Sequence, residues 1–250
     1  MEIRDRFKFN PQKDLNEVLV MFVIGTMINA VADSFRDSLL FVILYHGILA
    51  LGIWIALPIW YVCRKNLEPL SSVGITKQHW LRAILVAVLF VAISLPERII
   101  GKGFIIPKLS LWLSTSLALI FSSFFEEVFF RGIIQTRTEK SFGVIPAIIL
   151  SGLTFSLYHL GYSNYRSWDQ LLTLFVVGMF FAFTFQVTKN VITSFIVNFS
   201  HAMITFMSAH NFFNNRSGVI SLIATVAGIM LIFFIGHRKQ VDFIGQERNG

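Results

Sequence analysis

The chain has 250 residues, 55% of them hydrophobic and only 14% charged, with 27 Phe and a mean hydropathy of +0.68. A soluble domain carries about 25% charged residues, so the composition excludes an ordinary water-soluble fold. The single cysteine, Cys63, excludes an internal disulfide and any multi-cysteine metal site. The net charge of +7 lies mainly in the flanks of apolar runs, where it orients helices in a bilayer rather than forming a nucleic-acid surface.

In chain order, Met1 to Asp14 are charged and polar with no apolar core and do not read as a cleavable signal peptide. Eight apolar segments follow: Leu15–Ala32, Ser38–Val62, Trp80–Leu95, Leu109–Phe130, Phe142–Leu160, Leu171–Val187, Val191–Ala209 and Val219–Ile235. Most approach the roughly 17–25 residues that span a bilayer, and the third is short. The fold class is therefore all-α, a polytopic membrane helix bundle of about eight transmembrane helices. No repeat, low-complexity tract or linker divides it, so residues 1–250 form one integral-membrane domain.

An even number of spans puts both termini on one side. Fourteen Lys and Arg, among them Arg64, Lys65, Arg137, Lys140 and Lys189, flank segments on that side, against six (Arg36, Arg98, Lys102, Lys108, Arg166, Arg216) on the other. This asymmetry predicts a multi-pass cell-membrane protein with both termini in the cytoplasm.

The fourth segment ends in Phe124-Phe125-Glu126-Glu127-Val128-Phe129-Phe130-Arg131. An ionisable residue in a spanning helix costs about 2.5 to 3.5 kcal/mol on insertion scales, so two carboxylates and an arginine there need a reason. Glu127 and Arg131 lie four apart and can pair along a helix, while Glu126 sits about 100° round and points elsewhere. His159 ends the fifth segment and His201 lies inside the seventh. Either histidine alone reads as a packed residue; two of them beside an acidic pair suggest a site. An antiparallel hairpin turning near 139–141 brings Glu126 and His159 to similar depth, and the three are expected to converge on one cavity. His46, His79, His210 and His237 have no acidic neighbour in the sequence and read as structural or exposed. Ser151, Thr154 and Ser156 lack a nucleophile elbow, and no His-Glu-x-x-His is present.

Glu126-Glu127-x-x-x-Arg131, then Phe155-x-x-x-His159, then His201 in a later helix resembles the CPBP (Abi) family of intramembrane proteases, which includes the type II CAAX prenyl proteases and bacteriocin-processing or self-immunity proteins. Phe175-x-x-Gly178 with Ala182 beyond it fits the same pattern. The resemblance spans about Leu109 to Thr205 and marks about 109–209 as the catalytic core. It implies a glutamate-dependent endopeptidase acting on a membrane-associated peptide or protein in the lipid bilayer, with no nucleic-acid partner. Glu126 is then the general base toward water, His159 holds or assists that water, and His201 stabilises the oxyanion. Glu127 and Arg131 orient the base, and Phe155 supports the site. One position departs from the pattern: the family's asparagine four residues after the last histidine is Thr205 here. Asn198, three residues before His201, offers an amide on a neighbouring face. Members of this family are often described as metalloproteases, and Glu126, His159 and His201 would be the ligands of a zinc ion; the prenyl proteases suggest a metal-free mechanism. The other reading is a non-catalytic scaffold or bacteriocin self-immunity protein, which Thr205 favours.

Overall fold

The structure, a computed structural model, describes residues 6–78, 80–102, 105–208 and 215–247. Each of the eight apolar segments becomes a helix: α1 (Lys13–Asp33), α2 (Leu39–Lys65), α3 (Trp80–Lys102), α4 (109–142), α5 (Val144–Tyr158, with a 3-10 turn His159–Gly161), α6 (Trp168–Thr188), α7 (Val191–Ser208) and α8 (Asn215–Glu247). Five of them, α1, α2, α5 with its turn, α6 and α7, combine the length and hydropathy needed to cross a bilayer. Trp80–Ile93 of α3 and Arg216–Ile232 of α8 are apolar over shorter stretches. The all-α bundle expected from the segment pattern is the fold observed.

α1 shows how such a helix is written. Leu15, Val18, Phe22, Gly25, Asn29 and Ala32 form its buried stripe, at the three- and four-residue steps of one helix face. Its other faces carry Val20, Val23, Ile24, Met27 and Val31, exposed in the isolated chain and suited to lipid. α5 and α6 pack closest, because Gly152 and Gly178 leave no side chain between the backbones. A Cβ on Gly178 would stand 3.0 Å from the Gly152 Cα.

α4 departs from expectation at its end. It continues beyond Phe130 as π-type turns (Glu127–Gln135) and then an α-helix (Thr136–Phe142). The polar residues that suggest a loop are held by partners. Gln135 Nε2 donates to the Ala182 carbonyl at 3.0 Å, and Arg137 pairs with Glu68 at 2.8 Å. The hairpin therefore turns at Gly143, whose φ of +91° suits glycine, rather than near 139–141. Lys8 and Asn10 donate their backbone N–H groups to the Phe142 and Ser141 carbonyls, tying the N-terminal arm to this corner.

Charged residues gather at the two ends of the bundle. At the end nearest the termini, Glu68 accepts from Arg137 and Lys140, Asp14 accepts from Tyr61 and Asn66, and Glu139 pairs with Lys189. Burial acts to raise the Glu68 carboxyl, but the hydrogen bonds from Arg137 and Lys140 outweigh it and hold it down at about 2. At the far end, Asp33 pairs with Arg36 and accepts from the Ser163 backbone N–H at 3.0 Å. Arg36 and Arg216 line one small cavity there.

Candidate active site

Along α4, every residue from Phe125 to Gln135 is buried, an unbroken run enclosed by its neighbours. The winding widens at Glu127, where the π-type turns begin. Such turns recur at functional sites because they re-aim side chains within an otherwise regular helix.

Glu127 and Arg131 make the ion pair that their spacing predicts, with Arg131 Nε and Glu127 Oε2 at 3.3 Å. They meet as charges, off the angle of a hydrogen bond, and both atoms lack a hydrogen-bond partner. Arg131 also donates from Nη2 to the Gly178 carbonyl at 2.8 Å. Its guanidinium lies over Phe155 (4.9 Å), Phe181 (5.5 Å) and Phe130 (5.9 Å).

Asn198 of α7 ties the acidic pair together. Its Nδ2 donates to Glu126 Oε2 at 3.1 Å and to Glu127 Oε1 at 2.9 Å. An amide nitrogen has two protons, and each serves one carboxylate. In this arrangement Asn198 positions the acids, and no proton is left on that nitrogen for an oxyanion. Glu127 and Arg131 are sealed at 0% exposure, whereas Glu126 keeps 8%. Of the two acidic residues, only Glu126 keeps any exposure.

His159 Nδ1 lies 2.7 Å from the Phe155 carbonyl, four residues back. A carbonyl only accepts, so Nδ1 carries a proton, and when the ring is neutral its lone pair lies on Nε2. The ring is boxed by Phe155, Tyr158, Tyr162 and Tyr165, with centroids 4.8 to 5.7 Å away. His201 packs edge-on to Phe181 at 5.5 Å, and Phe181 meets Phe155 at 5.8 Å. The two histidines thus stand at either end of a Phe155–Phe181 pair that also carries Arg131. Thr205 Oγ1 donates to the His201 carbonyl at 2.8 Å, which commits its proton to its own helix. Glu126, Glu127, Arg131 and Asn198 are joined directly; His159 and His201 are linked to them through aromatic rings.

Those rings bear on zinc. Among the described residues no three His, Cys, Asp or Glu side chains are grouped to hold a metal ion, so Glu126, His159 and His201 do not form the ligand set suggested from sequence. The arrangement does not fit a bound zinc.

The sequence reading did not single out the tyrosines. Tyr162 OH is within hydrogen-bond reach of Tyr45 OH (3.0 Å) and of Tyr158 OH. Burial, then Tyr45 and the Glu126 carboxylate, push the Tyr162 phenol well above its ordinary value; burial, then Glu126, raise Tyr165. Four of the chain's five tyrosines therefore gather near Glu126 and His159. The spacing Tyr158, Tyr162, Tyr165 around His159 was the available signal. Other residues are quieter. Ser151, Thr154 and Ser156 donate to backbone carbonyls, and His46 stacks on Phe121 at 4.6 Å. His79 and His210, and the side chain of His237, lie outside the described residues.

No curated protein and no solved structure gives a match to this chain. A family described as Type II CAAX prenyl endopeptidase Rce1-like matches residues 108–207. That stretch contains Glu126, Glu127, Arg131, Phe155, His159, Asn198, His201 and Thr205, all the side chains singled out from the motifs. Over residues 108–207, the core of its bundle, the chain is similar to the Rce1-like type II CAAX prenyl endopeptidases.

Proposed function

We propose that the chain is an intramembrane, glutamate-dependent endopeptidase that hydrolyses a membrane-associated peptide or protein. The observation that carries this reading is the sharing of Asn198 between two buried carboxylates, of which Glu127 is paired with Arg131 and Glu126 is not. Glu126 takes a proton from the attacking water as oxygen bonds to the scissile carbonyl carbon. It returns that proton to the leaving nitrogen as the C–N bond breaks. The His159 Nε2 lone pair accepts a hydrogen bond from the same water and fixes its approach. His201 faces the developing oxyanion, Glu127 and Arg131 hold the base in register, and Phe155 carries both Arg131 and His159. A CAAX-type tail, a bacteriocin leader or a signalling propeptide would each suit this chemistry.

Thr205 supports a second reading, because its hydroxyl bonds back to the His201 carbonyl where the family pattern has an asparagine. A scaffold or self-immunity protein would keep the fold without the reaction. Incubating the purified, reconstituted chain with a lipid-anchored peptide and identifying products by mass spectrometry separates the two. The endopeptidase releases two fragments, and a chelator leaves the rate unchanged, since no ligand set is assembled. A scaffold releases none.

A further inference from the structure

We propose that the segment before α1, residues 6–12, is an in-plane membrane anchor. Phe7 and Phe9 enter the bilayer surface beside the start of α1, and Arg6, Lys8 and Lys13 meet its anionic lipid headgroups. The proposal does not depend on the endopeptidase reading. It starts from a proline. Pro11 lacks a backbone N–H and pushes Asn10 out of the helical region, so α1 does not wind back past it. Gln12, at φ −96° and ψ 141°, is extended, and α1 begins at Lys13. Ahead of the proline the chain is held by α4. Lys8 and Asn10 donate backbone N–H groups to the Phe142 and Ser141 carbonyls at 3.0 and 2.9 Å, the alternate-residue step of an extended segment. The Gln12 N–H reaches Ser141 Oγ at 3.3 Å.

Those bonds fix the level of the arm. α1 begins at Lys13 and α5 at Val144, both long and apolar enough to cross a bilayer, and Phe142 stands directly before the second of them. The arm therefore lies at the depth where two helices enter the membrane. Its apolar side chains are open there. Phe7 is 61% exposed and Phe9 86%, although Phe9 leans on Phe142 with ring centroids 5.8 Å apart. Within a span such exposure is met by lipid tails; on an arm outside the spans it leaves two phenyl rings in water unless the interface receives them. The cations alternate with the rings. Arg6, Lys8 and Lys13 are exposed, neither Arg6 nor Lys8 has an acidic partner among the described residues, and Lys13 reaches Glu17 only at 3.8 Å.

Aromatic rings set among cations are the composition that lies in an interface plane, with the rings at the acyl boundary and the cations on the phosphates. A second copy of the arm fits less well, because pairing two of them brings like charges together. Once seated, the arm holds the Gly143 corner at the bilayer surface, and from that corner the tail of α4 and the start of α5 both depart.

Spin labelling of the full chain in vesicles tests this without requiring activity. In a Cys63→Ala background a nitroxide is placed at Phe7→Cys, Phe9→Cys or Asn10→Cys in turn, so that one ring and the cations always remain. Its collision rates are compared for oxygen, which concentrates in lipid, and for a water-soluble nickel chelate. In vesicles of mixed phosphatidylglycerol and phosphatidylcholine, the labels at Phe7→Cys and Phe9→Cys should favour oxygen and the label at Asn10→Cys should favour nickel. Arg6→Gln with Lys8→Gln should lower the ratio of lipid-facing to water-facing signal at Phe9→Cys by about fivefold for each charge removed. Vesicles of phosphatidylcholine alone should lower it in the same direction. Nickel preference at Phe7→Cys and Phe9→Cys in anionic vesicles places the arm in water and overturns the proposal. Shielding of both from oxygen and nickel means that protein covers them, and overturns it equally. A lipid-facing signal unmoved by lipid charge and by the loss of both cations overturns the headgroup pairing.

Discussion

Arg131→Leu is expected to destabilise the folded chain by about 3–5 kcal/mol, the cost of leaving one partner of a buried ion pair uncompensated. Glu127 and Arg131 both stand at 0% exposure, so no water replaces the lost countercharge. The guanidinium also bonds the Gly178 carbonyl and covers Phe155 and Phe181, so its loss loosens α5 and α6 together. The double change Glu127→Leu with Arg131→Leu should recover most of the stability, because apolar residues of similar size commonly replace a buried pair at little cost. Thermal unfolding in detergent, followed by size-exclusion profile, reads both. A single variant as stable as wild type would mean that the pair does not hold this part of the bundle.

Asn198→Leu should lower turnover by about 10²-fold or more, within the 10²- to 10⁴-fold that a well-positioned general base contributes. Leucine has similar bulk but donates nothing, so Glu126 and Glu127 lose the amide they share and are left close together in a buried site. Two carboxylates in that position resist being ionised together, and the base loses its aim. Asn198→Gln keeps the amide on a longer arm and should recover only part of the rate. The measurement is the initial rate of anchored-peptide cleavage per folded molecule. An unchanged rate in Asn198→Leu would separate Asn198 from the chemistry.

The helices were legible because lipid demands apolar residues on every outward face, and each of the eight runs has them. The tail of α4 was not, because Arg131 to Phe142 is polar by composition and becomes helix only through partners on other elements, such as Ala182 and Glu68. Gly143 did carry a signal: a glycine between two apolar runs marks a turn better than the charges before it. Glu127 with Arg131 followed from i to i+4 spacing alone. The double bond from Asn198 did not, since it depends on how α7 lies against α4 across more than 70 residues of chain. The zinc set failed for a related reason. A list of ligand types contains no information about Phe155 and Phe181, whose rings flank Arg131 and link His159 to His201.

The central claim is that Glu126, and not Glu127, works on water. The most direct measurement is single-turnover cleavage of an anchored peptide by Glu126→Gln and Glu127→Gln, compared per folded molecule. Glu126→Gln keeps the shape and an acceptor for Asn198 but cannot take a proton, so its rate should fall by about 10²- to 10⁴-fold. Glu127→Gln should unfold more readily, yet lose less than about tenfold in rate where it remains folded. Cleavage by Glu126→Gln at close to the wild-type rate, with collapse in Glu127→Gln, would contradict the assignment of the base.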